Sequence, residues 1–236
     1  MDASPERRSE ATEVKLNLGC GPNVFPGWVN IDREFPREYL EYLTTHGPDA
    51  RMPETQRKLS EYLHAGGYID FRVHDLRRGL TYATDTVDLI YLGQVVEHLN
   101  PVYEALALMK ECRRVLKPGG ILRIATPDLG ILLLAYASDD MDRFASEQPD
   151  YYKKGSKGAK LSYIMFGSTG PISTWDHYEG HMMIYDAASM DALLVGAGFE
   201  LGHIHYTVAG QSLSDVIERE VVDTGVSHSM FVEAVK

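Results

Sequence analysis

The stretch KLNLGCGPNVFPGWVNID, residues 15–32, contains residue types that could hold a small molecule. It begins with an apolar run that is typical of a buried strand, and it ends on the carboxylate of Asp32. Between these two features, Gly19 and Gly21 allow the backbone to approach a ligand closely and to adopt positive φ angles. The spacing therefore favours a ligand with one end held by backbone groups and another end held by an acid.

A dinucleotide site is the first candidate for such a loop. Its G-x-G-x-x-G pattern leads into a helix whose N-terminus holds the pyrophosphate. Here Val24 stands where the third glycine belongs, and Pro22 and Pro26 remove backbone donors that a pyrophosphate needs. The signals for a helix after the turn are also weak. The loop therefore favours a nucleoside with a small zwitterionic tail over a diphosphate.

A second acid supports a nucleoside ligand. Asp75, in FRVHDLRRG, directly follows a strand-like run, where its carboxylate could accept from the exocyclic amine of adenine while Leu76 flanks the ring. Asp32 could accept both hydroxyls of a ribose and would repel a 2′-phosphate. Three successive strand ends would then hold tail, ribose and base. Both acids could instead simply cap turns, which is a common role of aspartate.

Alternating strand-like and helix-like segments must position these residues, which predicts an α/β fold with a mostly parallel sheet. Helices are predicted over 101–117 and over 186–198, the second with Asp186 as its N-cap. The last two strands are joined without an obvious crossover helix, so we expect them to pair antiparallel at one edge. Strands are predicted over 14–18, 28–32, 68–73, 87–92, 121–126, 201–208 and 229–235.

The chain is interpreted as one domain over residues 14–236 that follows a disordered tail, residues 1–13. The pattern of residues 35–67 predicts one or two short helices in the connection between the predicted strands 28–32 and 68–73. Residues 138–180 are rich in Gly, Tyr, Ser and His and poor in regular period, so we predict a lid over a site. Trp28, in the turn-rich opening stretch, is expected to be exposed.

Composition narrows the classes of function. With 44% apolar residues the chain can bury a sizeable core, and its net charge of −11 with no basic stripe argues against a nucleic-acid partner. Two cysteines exclude a disulfide framework and fit a reduced compartment. The N-terminus has no apolar signal region, and the longest apolar stretch is too short to cross a bilayer. We therefore predict a cytoplasmic protein without a membrane partner.

With DLIYLGQVVEHL and LKPGG also in place, residues 14–207 resemble the class I S-adenosylmethionine-dependent methyltransferases. The resemblance implies a Rossmann-like, seven-stranded, mostly parallel sheet with a reversed final hairpin, and S-adenosylmethionine as cofactor with S-adenosylhomocysteine as product. The glycine turn would line the methionine portion, Asp32 the ribose and Asp75 the adenine. Asn17 stands where the family often has an acid, but it can still accept from an ammonium group. The implied cofactor residues are Asn17, Gly19, Cys20, Gly21, Asp32, Asp75, Leu76, Gly93 and Gln94.

Methyl transfer to a hydroxyl also needs a group that removes a proton, and histidine is the usual one. His181 is the first candidate, because GHMMIYD places it next to a predicted helix N-terminus. His177 is the second, because the neighbouring Asp176 could orient its ring. On a helix this pair could bind a metal, but Gly180 intervenes and we predict no metal site. Both histidines could alternatively only order the lid through hydrogen bonds.

Further residues near these motifs have less specific signals. In VVEHL, the resemblance implies that Glu97 and His98 start a helix with His98 half buried, and we expect His98 to be structural. Five aromatic residues could wall an acceptor pocket or only pack the lid: Tyr151, Tyr152, Tyr163, Phe166 and Trp175.

The sequence thus predicts in-line methyl transfer to a small, metabolite-like or sugar-containing acceptor. A cyclase or decarboxylase on the same scaffold and a non-catalytic partner subunit remain alternatives. An NAD-dependent oxidoreductase is disfavoured by the missing third glycine and by Asp75. The oligomeric state stays open, with a homodimer among the candidates.

Overall fold

The computed structural model describes residues 13–147, 153–166, 180–223 and 227–236. Residues 1–12 of the predicted tail lie outside this description, as do 148–152 and 167–179 of the predicted lid. The second candidate base, His177, is among these residues, together with Tyr151, Tyr152 and Trp175.

The described residues form one seven-stranded sheet in the order β3-β2-β1-β4-β5-β7-β6. Neighbouring strands from β3 to β5 run parallel, and β7 pairs antiparallel with both β5 and β6. The predicted Rossmann-like fold class and reversed final hairpin are therefore confirmed. The strands are β1 Lys15–Leu18, β2 Val29–Asp32, β3 Asp70–Val73, β4 Val87–Gly93, β5 Leu116–Pro127, β6 Ile204–Thr207 and β7 Ser229–Val235.

Helices cover both faces of this sheet, so its central strands are buried on both sides. Along β4, Ile90 and Leu92 face one apolar cluster while Leu89 and Tyr91 face another. The near-continuous apolar run of this strand follows from that double burial. The helices are α1 Arg37–His46, α2 Glu54–His64, α3 Glu104–Val115, α4 Leu129–Ala137, α5 Lys157–Phe166, α6 Ala187–Gly196 and α7 Asp215–Glu220.

Several of these helices match the sequence predictions. The insertion over 35–67 contains α1 and α2, and α6 begins after Asp186 in a capping box with Ser189. The predicted start of α3 at Pro101 was wrong, since residues 101–103 form a turn. The Asn100 side chain accepts from the backbone N–H groups of residues 102 and 103 and so stabilises that turn instead of the helix.

Three helices were not predicted from the sequence. α4 is apolar on all its faces, so it shows no helical period, and α7 has only six residues. α5 lies within the predicted lid, where we expected irregular structure, and it packs on α4 through Ile164. None of the helices in the described parts of the chain is long and apolar enough to cross a membrane.

Trp28 corrects another expectation, because its side chain is 1% exposed. Its indole Nε1 donates to Glu220 Oε2 at 3.0 Å, and the Lys15 ammonium lies 5.6 Å from the ring centroid. The sequence did not reveal this burial because Glu220 belongs to α7, the short helix that packs over this face.

Candidate active site

A cleft of about 600 Å³ opens at the carboxyl ends of β1 to β4. It lies where the strand order reverses, with β1 between β2 and β4. Open α/β sheets bind ligands at this point, and the volume is typical of a small-molecule site. Six of the predicted cofactor residues line the cleft together: Gly19, Gly21, Asp32, Asp75, Leu76 and Gln94.

The two glycines of the opening turn contribute in different ways. Gly19 has a φ of 65°, and a Cβ there would lie 2.5 Å from Val95 Cγ2, so the backbone packs too closely for a side chain. Gly21 has a φ of 49°, and a Cβ there would meet no atom within 4 Å. Gly19 therefore fixes the turn against Val95, which follows β4, while Gly21 presents open space to the cleft.

Replacing Gly19 with alanine is expected to destabilise the fold by about 1 kcal/mol more than replacing Gly27. Both positions have positive φ, at 65° and 76°, but a Cβ at Gly27 meets no atom within 4 Å. Chemical denaturation of Gly19→Ala and Gly27→Ala separates the cost of the contact with Val95 from the cost of backbone strain, which both variants share. In the double variant Gly19→Ala/Val95→Ala, the additional loss of about 1 kcal/mol should disappear. Equal destabilisation of Gly19→Ala and Gly27→Ala would contradict the close contact between Gly19 and Val95.

The Asp32 carboxylate is already oriented by the turn. Its Oδ2 accepts from the Gly21 N–H at 2.7 Å, and its Oδ1 accepts from the Arg33 N–H at 2.6 Å. A carboxylate offers about four lone-pair sites, so each oxygen retains room for one more donor. Asp32 can therefore accept two neighbouring hydroxyls without giving up its contacts to the backbone.

Asp75 both caps a turn and lines the cleft. It caps the 3₁₀ helix Leu76–Arg78 by accepting from the Arg77 N–H, and the Arg77 guanidinium binds its Oδ1 and Oδ2 at 2.9 and 2.7 Å. Hydrogen bonds from Arg77 are the main reason why the pKa of Asp75 falls to about 2. Arg77 also lines the cleft and was not predicted from the sequence. The carboxylate stays ionised and keeps acceptor capacity on Oδ2 for an amine.

Three predicted cofactor residues are placed beside the cleft rather than among its described lining residues. Asn17 is 2% exposed, and its amide Nδ2 donates to the Asn23 carbonyl at 2.7 Å and to Asn30 Oδ1 at 2.9 Å. Cys20 packs in an apolar cluster, where burial raises the pKa of its thiol. Gly93 ends β4. These positions support the shape of the turn.

Gln94 follows β4 with a φ of 58°, a left-handed conformation that is uncommon outside glycine. Its N–H donates to the Ala125 carbonyl at 2.8 Å, and its Nε2 donates to Ser229 Oγ at 2.9 Å. Such strain is often found at functional sites, where the surrounding contacts hold it in place. Here it fixes the cleft wall at the end of β4.

Two histidines meet at the same edge. His98 lines the cleft, and its ring centroid lies 4.7 Å from that of His181 in an edge-to-face arrangement. Burial, and next the nearby His98, lower the pKa of His181 to about 4, so its ring is neutral at pH 7. We expected a structural role for His98, and its placement in the cleft was missed. Glu97 and His98 belong to a 3₁₀ turn, Val96–His98, and α3 begins only at Glu104.

The Glu97 side chain is completely buried and lies close to these rings. Its Oε2 accepts from the Thr126 hydroxyl at 3.1 Å, whereas its Oε1 has no hydrogen-bond partner among the described residues. Burial raises the pKa of Glu97 to about 8. The sequence signal was a charged residue in VVEHL, a few residues after an apolar strand, and we interpreted it only as a helix start.

The sequence of the cleft-bearing half also matches a known family. Residues 16–124, which span β1 to most of β5, match the family model described as a methyltransferase domain. This match covers just under half of the chain and shows a methyltransferase domain there, in keeping with the resemblance to the class I S-adenosylmethionine-dependent methyltransferases.

Solved structures share the fold of this chain. A methyltransferase from Methanosarcina mazei is 18% identical, with a TM-score of 0.51, and the match covers 100% of this chain and 99% of that one. The methyltransferase SibL, in its apo form, is 15% identical with a TM-score of 0.51, covering 96% of this chain and 51% of that one. At these identities the likeness shows the fold alone.

A curated relative from Aspergillus luteorubrus is named "Probable methyltransferase ltbC". It is 29% identical over 133 residues, which are 56% of this chain and 45% of the relative. The matched part thus spans less than half the length of that protein.

S-adenosylmethionine is the cofactor of this family, and the residues of the cleft fit it. The open space beside Gly21 admits a small tail close to the backbone. Asp32 and Asp75 both have acceptor capacity to spare, as a ribose and an amino-purine require. The described lining of the cleft therefore offers open space for a small tail and acceptors suited to a ribose and an amino-purine.

Proposed function

We propose that this methyltransferase transfers a methyl group from S-adenosylmethionine to a small-molecule acceptor. The observation that carries the proposal is the meeting of Gly21, Asp32 and Asp75 around one cleft. The net charge of −11 supports an acceptor other than a nucleic acid, because such a surface repels phosphates. We also retain the prediction of a cytoplasmic location; both cysteines are free thiols.

In the proposed complex, Gly19 and Gly21 contact the methionine portion, Asp32 binds the ribose hydroxyls, and Asp75 accepts from the adenine amine with Leu76 against the ring. The rival dinucleotide site requires a helix N-terminus after the glycine turn. Residues 19–28 are all described and form only turns and extended backbone, so the chain offers no such helix there. This difference supports an adenosyl cofactor over NAD.

When bound, the cofactor supplies an electrophilic methyl group on a positively charged sulfur. The residues of the chain then have to align the acceptor with that methyl group and keep water away from it. We propose that the acceptor enters beside His98, and that residues 138–180 act as the lid. Helix α5 supports the lid, because its packing on α4 attaches part of this segment to the domain.

An oxygen acceptor must also lose a proton. We propose that the pair of His98 and His181 takes it: His98 lines the cleft, and the neutral ring of His181 lies against it with an Nδ1 that has no partner in the described parts of the chain. His177 remains a further proposed base, since it lies outside the described residues. Replacing His181 with alanine should lower turnover while the affinity for S-adenosylmethionine stays unchanged. The exposed His205 is the matched control, and an equal effect of His205→Ala would contradict a role for the pair.

The proposed function is tested by calorimetric titration with S-adenosylmethionine and NAD, followed by mass spectrometry of candidate acceptors. We expect binding of the adenosyl cofactor only, and a product that is heavier by one methyl group. Tighter binding of NAD would overturn the proposed cofactor site. An acceptor that is converted while S-adenosylmethionine stays intact would instead indicate a cyclase or decarboxylase.

A further inference from the structure

Glu97, His98 and His181 form a cluster of three side chains that could ligate a metal. One ligand atom from each lies within 4.8 Å of the other two. Glu97 and His98 come from the 3₁₀ turn after β4, and His181 comes from the segment that follows the proposed lid. The N–H groups of Met182 and Met183 donate to the Glu97 carbonyl at 2.7 and 3.2 Å, so the two segments are fixed to each other.

Two atoms of this cluster need a partner that the described residues do not supply. Glu97 Oε1 and His181 Nδ1 are both buried and have no hydrogen-bond partner, and the Glu97 side chain is 0% exposed. Leaving buried polar atoms unpaired costs free energy, so native proteins rarely do so without a reason. A cation between the carboxylate and the imidazole would satisfy both atoms.

We propose that Glu97, His98 and His181 bind a divalent transition-metal cation of the zinc type. Two imidazoles and one carboxylate are a ligand set that zinc accepts in proteins, with bonds of about 2.0–2.2 Å. At that bond length, the ligand atoms around a tetrahedral ion lie about 3.4 Å apart. The ligand atoms of this cluster lie within 4.8 Å of one another, so each pair would have to approach by at most about 1.4 Å to bind the ion. The Thr126 hydroxyl already orients the carboxylate through its other oxygen, as supporting groups at metal sites do.

The site would act on the proposed reaction, and this consequence rests on the proposed function. Three protein ligands leave a coordination position for water or for an oxygen of the acceptor, and His98 places the ion at the cleft. A cation there lowers the pKa of a bound hydroxyl. Since the His181 lone pair cannot bind a proton and a cation at once, in the occupied protein the acceptor hydroxyl would bind the ion and release its proton to solvent water, and its oxygen would then take the methyl group as S-adenosylhomocysteine leaves.

The test measures metal binding without any acceptor. The full chain, free of any histidine tag, is stripped with a chelator, incubated with Zn²⁺, desalted and analysed by elemental mass spectrometry. We expect about one equivalent of zinc per chain. Substitution of Co²⁺ should give the visible absorption of a four- or five-coordinate site. Glu97→Gln and His181→Ala should lose both signals, whereas His205→Ala, an exposed control, should keep them.

Absence of stoichiometric zinc in the folded wild type would overturn the proposal, and so would equal zinc contents in all variants. Glu97→Gln keeps the size of the side chain. If His181→Ala does not fold, the zinc content of Glu97→Gln alone decides whether the metal site exists. Calorimetric titration with S-adenosylmethionine on the same samples separates the two proposals. Cofactor binding without zinc overturns the metal site alone, and zinc binding without cofactor overturns only the proposed function.

Discussion

Replacing Arg123 with methionine is expected to lower the free energy of unfolding by about 3–5 kcal/mol. Arg123 lies on β5 with 1% of its side chain exposed, and its guanidinium binds Asp223 Oδ2 at 2.6 Å and Glu233 Oε1 at 2.8 Å. Asp223 and Glu233 are 5% and 0% exposed. Methionine fills much of the same volume but leaves two carboxylates buried without their cation, which is the costly change.

Urea denaturation at pH 7, followed by circular dichroism, measures this loss. Arg51→Met is the matched control, because Arg51 is 90% exposed and its partner Asp49 also lies at the surface. Surface ion pairs contribute little, so we expect the control to stay within about 0.5 kcal/mol of the wild type. If Arg123→Met lowers the free energy of unfolding by less than about 1 kcal/mol, the buried carboxylates of Asp223 and Glu233 find other partners in the variant.

Replacing Asp32 with alanine is expected to weaken the binding of S-adenosylmethionine by about 10- to 100-fold. In the proposed complex the ribose hydroxyls would lose their acceptors, and the N–H groups of Gly21 and Arg33 lose theirs as well. An unsatisfied partner of a charged group costs about 1–3 kcal/mol, and each 1.4 kcal/mol corresponds to a factor of ten. Isothermal titration calorimetry measures the change directly.

Two further variants separate binding of the ribose from orientation of the turn. Asp32→Asn keeps one acceptor oxygen for the backbone, so we expect its affinity to lie between those of the wild type and the alanine variant. Asp49→Ala removes a surface carboxylate that contacts Arg51, and it should leave the affinity unchanged. If Asp32→Ala binds the cofactor as tightly as the wild type, Asp32 does not belong to the cofactor site.

Much of the sheet could be predicted because its signals are local. The apolar runs of β1 to β4 are short, bounded by turn residues and followed by the residues that line the cleft. The glycine turn could be recognised for the same reason, since a positive φ and a close approach both require glycine at a given position. Helix boundaries were less accurate, as at α3, because the Asn100 side chain competes for the backbone groups of the first turn.

By itself, the sequence determined the strands, the glycine turn and the acids at the ends of β2 and β3. Each of these depends on residues that are neighbours in the chain. Only the tertiary structure decided that Arg123 reaches Asp223, 100 residues away, and that Glu97 lies against His181. Such contacts depend on which elements pack together. A buried polar group stands next to apolar residues in the sequence, and its partner is specified by the fold.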